Sequence, residues 1–184
     1  MLHRITGRAT KCGPSAISAI AGVPTHEAAA VIRRLFDRPS VNGVYTDELA
    51  AALEEFGWRP DYALRHPKLV PDSIRDRRER RHARREEVWE RIFADVPFEV
   101  RAVSLGTFLD PAPSGTWAIS ASNHFVVYGD GHVADSAWFS RRPRPWRRAD
   151  PDCDRVALRR IREAVRFVRI ARNERRRSPV PEER

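Results

Sequence analysis

The sequence predicts an α+β fold, with helices first, strands after them and a helix at the C-terminus. Three observations carry this expectation. Before Gly57, apolar residues recur at helical spacing between glycine, proline and threonine punctuation. After Pro97 the pattern turns to strand-type alternation, with Asp130-Gly131 set between two β-rich runs. A last apolar stripe, Val156, Ile161, Val165 and Val168, reads as a helix face with arginines around it.

The first helix is expected from Pro14 to Ala21, because proline suits a first helical turn and Gly22 suits the residue that ends one. Thr25 is placed to cap a second helix, "HEAAAVIRRLF", with Glu27 near the positive end of its dipole. After the turn "PSVNGVY", Thr46 is placed to cap a third helix, "DELAAALEEF", closed by Gly57. The first sixty residues thus read as helical. Residues 64–96 read as a charged helical insertion. Pro67 and Pro71 interrupt the chain, and the apolar residues of the long helix that follows, Val88, Trp89, Ile92, Phe93 and Val96, gather at its end. "FEVRAVS", "TWAIS", "HFVVYG" and "HVADSAW" read as strands of a small antiparallel sheet, and "TFLDPAPSG" as a short helical turn with a loop. "RRPRPWRRADPD" reads as an irregular basic loop before a final helix running from Cys153 or Asp154 to Arg172. Residues 1–172 are expected to form one domain and 173–184 a disordered basic tail.

Composition narrows the function classes. The 184 residues carry a net charge of +9, almost all of it from arginine, since Lys11 and Lys68 are the only lysines. Such a charge favours an acidic partner. Arg77, Arg78, Arg80, Arg81, Arg84 and Arg85 are the candidate footprint for non-specific contact with nucleic acid or an acidic protein. The plainer reading is a solvated helix face whose arginines pair with Glu79, Glu86 and Glu87. No stretch of eighteen apolar residues exists, so no membrane helix is expected. The N-terminus lacks the apolar centre of a secretory signal, which points to the cytoplasm. Two cysteines, Cys12 and Cys153, make neither a disulfide scaffold nor a four-cysteine zinc site. His3, His26, His66 and His82 show no metal-ligand spacing, so neither a metal nor another cofactor is expected. The oligomeric state is not set by the sequence.

Cys12 stands at the start of the first helix, where the helix dipole favours a thiolate, and Lys11 adds to that field. With Asp130-Gly131 as a two-residue turn, Gly129 pairs with His132 and Val126 faces Asp135. His124 and Asp135 then share a sheet face as diagonal neighbours, within reach of each other, whereas His132 falls on the opposite face. Cysteine, imidazole and carboxylate in this order suit nucleophilic catalysis. Cys12 attacks, His124 moves protons, Asp135 orients the imidazole, and the Cys12 backbone N–H donates to an oxyanion. Trp138, just past Asp135, is placed to shield the His–Asp pair from water.

"KCGPSAISAIAG", "GVYTDELAAALEEFGW" and "GTWAISASNHFVVYGDGHVADSAW" together resemble the papain-like cysteine peptidase superfamily, above all its bacteriocin-leader-peptidase-like branch and related phage and mobile-element proteins. The likeness covers residues 9–62 and 105–140. It implies a papain-like fold, with N-terminal helices on a small antiparallel sheet, and a catalytic triad of Cys12, His124 and Asp135. Papain-like enzymes place an oxyanion glutamine shortly before the cysteine, and this chain contains no glutamine. Thr6, Thr10, Gly13, Ser122 and Asn123 are the candidates to take its place or to touch substrate. Asn123 reads otherwise as a turn residue.

The leading expectation is a cysteine hydrolase, most simply a peptidase acting on a peptide or protein through a thioester. A transglutaminase-like or arylamine acetyltransferase-like acyl transferase uses the same residue order, and a peptidoglycan amidase is a further option. A catalytically weak papain-like scaffold, serving as a basic interaction module in a phage or defence system, is the non-enzymatic alternative. The missing glutamine and the arginine-rich segments favour it.

Overall fold

A computed structural model describes residues 1–8, 11–67 and 92–171. Among them are five helices and seven strands. Three helices come first: α1 (Cys12–Ala21), α2 (Thr25–Leu35) and α3 (Thr46–Glu55). The strand β1 (Trp58–Arg65) follows, then β2 (Phe98–Val100), the short helix α4 (Leu105–Leu109), and β3 (Thr116–Ala121), β4 (His124–Gly129) and β5 (His132–Ala134). Last come β6 (Arg144–Pro145), α5 (Pro151–Ala157) and β7 (Ile161–Arg169). The fold is α+β, as expected.

The strands form one sheet in the order β2-β1-β7-β3-β4-β5-β6. The expectation of a small antiparallel sheet is corrected on two counts. The sheet has seven strands, and the β1–β2 pair is parallel. Its two faces carry separate apolar clusters. Helices α1–α3 cover one, with Ile17, Ile20, Ile32 and Leu49 against Phe125, Val127, Val165 and Phe167. Helices α4 and α5 cover the other, with Leu105, Leu109 and Val156 against Ile119, Val126, Tyr128 and Ile161. Burial of such side chains contributes about 1.5–3 kcal/mol each.

The final helix is also corrected. It ends at Ala157, and residues 161–169 form β7, a central strand between β1 and β3. A bulge hides its alternation. Ser120 pairs with Glu163 but Ala121 pairs with Ile161, so Arg162 is an extra residue and Ile161 turns to the opposite face from Val165. The resulting apolar spacing imitates a helix.

Smaller corrections follow from local geometry. Thr25 and Thr46 are first helical residues, and the caps are Pro24 and Tyr45, both extended. Glu48 closes the start of α3 by accepting from the Tyr45 N–H at 3.0 Å. The helical reading of the first sixty residues stops at Gly57, because Trp58–Arg65 is a strand, and that strand takes Leu64 and Arg65 out of the insertion. "FEVRAVS" forms a strand only over Phe98–Val100, and "HVADSAW" only over His132–Ala134. Of the insertion, only residues 64–67 and 92–96 are described, with Ile92 and Phe93 buried in the core. The arginine candidates from Arg77 to Arg85, Thr10 and the tail 173–184 lie outside the described residues. Among the described residues, no single helix is long and apolar enough to cross a membrane.

Candidate active site

Helix α1 begins at Cys12 because Lys11 is extended and Pro14 sits in the first turn, where its missing N–H is not needed. It ends at Gly22, which takes a left-handed conformation (φ 77°) and donates its N–H to Ser18 O at 2.9 Å. Gly13 is buried under Val44. A Cβ built on Gly13 would lie 2.4 Å from Val44 Cγ2, so only glycine lets the 44–45 segment close over the helix entrance. Gly13→Ala is therefore expected to destabilise the fold by about 1–3 kcal/mol and to displace Cys12. A chemical melt and the alkylation rate of Cys12 measure the two effects.

His124 is the first residue of β4. It follows a tight two-residue turn in which Ser122 (φ 48°) and Asn123 (φ 62°) are both left-handed, as a type I′ hairpin requires. The Asp130-Gly131 turn has the same form, with φ of 50° and 77°. It sets the register counted from the sequence, Gly129 against His132 and Val127 against Ala134. Asp135 is the next residue, just past the end of β5. Its carboxylate is fully buried, and His124 is largely so.

Asp135 Oδ2 lies 2.6 Å from His124 Nε2. The rest of the carboxylate is filled by backbone donors. Oδ1 accepts from the N–H groups of Ala137 (3.2 Å), Trp138 (3.1 Å) and Phe139 (2.8 Å), and Oδ2 accepts from Trp138 at 2.9 Å. With Nε2 committed to Asp135, Nδ1 is the ring nitrogen left for Cys12, and thiol and imidazole each shift the other's titration. The backbone N–H groups of Phe125 and Gly13 also act on the Cys12 thiol and lower it.

The electrostatics follow from these contacts. Burial pushes the Cys12 thiol up, but the His124 hydrogen bond and charge, with the Phe125 and Gly13 N–H groups, outweigh it and hold the thiol below its ordinary value. Burial pushes His124 down, and the hydrogen bonds to Asp135 and Cys12, with their charges, override it and raise the imidazole to about 9. Burial raises Asp135, yet its bonds from His124, Phe139 and Trp138 keep it below the usual carboxylate range. These shifts run in the direction of a thiolate–imidazolium pair beside an ionised carboxylate.

The Trp138 ring lies over His124, centroid to centroid 4.6 Å, tilted by 46°. This is the shielding position read from the sequence. His132 is exposed and bonds to Asp130 O, away from the cluster. Cys153 is a free thiol, fully buried. Among the described residues, no group of three His, Cys, Asp or Glu residues is placed to hold a metal ion.

The other candidates divide. Gly13 is at the site, both as an N–H donor and as the seat for Val44. Asn123 and Ser122 form the turn before His124. Thr6 is not brought to Cys12. Its N–H donates to Ser18 Oγ at 3.3 Å and its carbonyl accepts from Thr25, two turns along α1. Sequence reading missed the Phe125 N–H and the three donors after Asp135. Backbone donors have no residue signature. The run "DSAWF" does carry a signal, because an aspartate before small residues at a strand end favours a turn closed by its own carboxylate.

No family model, no curated protein and no solved structure matches this chain.

Proposed function

We propose that this protein is a papain-like cysteine hydrolase, and specifically a peptidase. One observation carries the reading: the His124 imidazole, bonded at 2.6 Å to the buried Asp135 carboxylate, interacts with Cys12 so that the thiol is lowered and the imidazole raised. The Cys12 thiolate attacks the carbonyl carbon of a peptide bond. The oxyanion forms beside the Cys12 N–H, which stands outside the intrahelical ladder at the start of α1. The His124 imidazolium gives its proton to the departing amine, leaving an acyl thioester on Cys12. His124 then takes a proton from water as the hydroxide adds, the C–S bond breaks, and the thiolate–imidazolium pair returns. Asp135 stays ionised throughout and fixes which ring nitrogen faces Cys12.

A second reading rests on the absence of glutamine from the chain. Without that donor, a papain-like scaffold of weak catalysis would serve as a basic interaction module. Incubation with a complex peptide mixture, read by mass spectrometry for new termini, separates the two. The peptidase reading expects cleavages that vanish in Cys12→Ala. A reactive Cys12 with no cleavage supports the second reading.

A further inference from the structure

We propose that Arg159 is a positioning residue, whose guanidinium holds the Trp138 ring against the His124 imidazole and so fixes how that imidazole meets Cys12. The inference rests on the hydrolase reading above and concerns the same site.

Trp138 is tied at three points. Its N–H donates to both oxygens of Asp135, at 3.1 and 2.9 Å, and its carbonyl accepts from Arg155 Nη2 at 3.4 Å. These bonds fix the backbone of residue 138 but not the rotation of its side chain, which has two free torsions. The ring is half-buried, packed on one side against the apolar cluster under α4 and α5. Arg159 adds a restraint from a further element. Its Cζ lies 5.8 Å from the Trp138 ring centroid, within the range of a cation–π contact. The Arg159 backbone is itself held, donating to Val156 O at 2.9 Å and accepting from the Leu105 N–H at 2.8 Å. Its neighbour Arg155 is engaged with Asp152. Arg159 is exposed and makes no ion pair among the described residues, so its charge is free for the ring. Helix α5 and the segment after it thereby reach the catalytic imidazole through one indole.

Two readouts test this. The first is the iodoacetamide rate of Cys12 at neutral pH, with buried Cys153 as an internal reporter that labels only if a variant unfolds. Arg159→Gln is expected to slow Cys12 by about threefold, the size of an exposed cation–π contact, and Arg159→Lys to restore most of the rate. In a Trp138→Leu background, Arg159→Gln is expected to change nothing further. An equal effect in both backgrounds, or none in either, overturns the proposal. The second readout is the ring-current shift of the His124 ring protons by NMR. Arg159→Gln should move these signals and Arg159→Lys should return them. Unmoved signals overturn the proposal whether or not Cys12 is reactive. A slow Cys12 in the unmodified protein counts against the hydrolase reading alone, and the NMR result still decides the role of Arg159.

Discussion

His124→Ala is expected to lower kcat/KM for peptide hydrolysis by about three orders of magnitude, the upper part of the range for losing a positioned proton donor. Two losses combine. The first is the partner of the thiolate. Burial then acts on Cys12 against only the Phe125 and Gly13 N–H groups and the helix terminus, so the thiol titrates higher. The second is the proton for the departing amine, which no neighbouring group among the described residues replaces, because Asp135 is ionised and fully buried. Steady-state kinetics on one peptide substrate, with the melting temperature recorded alongside, measure the effect. A fall of less than tenfold would contradict the assigned role.

Asp135→Ala is expected to be the most destabilising single change at the site, by about 3–5 kcal/mol, the cost of removing one member of a buried charged pair. The carboxylate accepts from His124 and from the backbone N–H groups of Ala137, Trp138 and Phe139, and alanine leaves all of these donors without it. Asp135→Asn keeps the shape and one acceptor oxygen, so a smaller loss is expected. Urea unfolding compares the three proteins. The pH dependence has a definite sign. Because the folded-state pKa of Asp135 is depressed, its contribution is complete above the unfolded value near 3.9 and is lost as pH falls through the folded one. The Asp135→Ala protein should lack that acid limb.

The parts of this architecture legible in the sequence are those set by local chemistry. The Asp130-Gly131 turn fixed the β4–β5 register, and from it the shared face of His124 and Asp135 could be counted. Pro14 and Gly22 marked α1, to within two residues of its start. What was not legible depends on partners distant in the chain. β7 reads as a helix because its bulge at Arg162 forms only against β3. β1 escaped notice because Pro60 and a bulge between Pro60 and Tyr62 break its alternation, and its ladder to β7 joins residues about a hundred positions apart. Thr6 was placed near Cys12 by sequence distance, whereas the N-terminal segment runs back along α1 to Ser18. Phe125 acts on the Cys12 thiol through its backbone, which side-chain identity does not reveal.

The most direct test of the thiolate–imidazolium pair is the pH dependence of Cys12 alkylation in the native protein. The thiolate is the reacting form, so the rate should rise with a midpoint below that of an ordinary thiol, roughly 8.5, and level off while His124 remains protonated. A further change is expected near pH 9, where the imidazolium loses its proton, and His124→Ala should abolish it. Since the two groups interact, both midpoints belong to the pair. A single rise at or above the ordinary thiol value, unchanged in His124→Ala, would contradict the pair and with it the proposed peptidase.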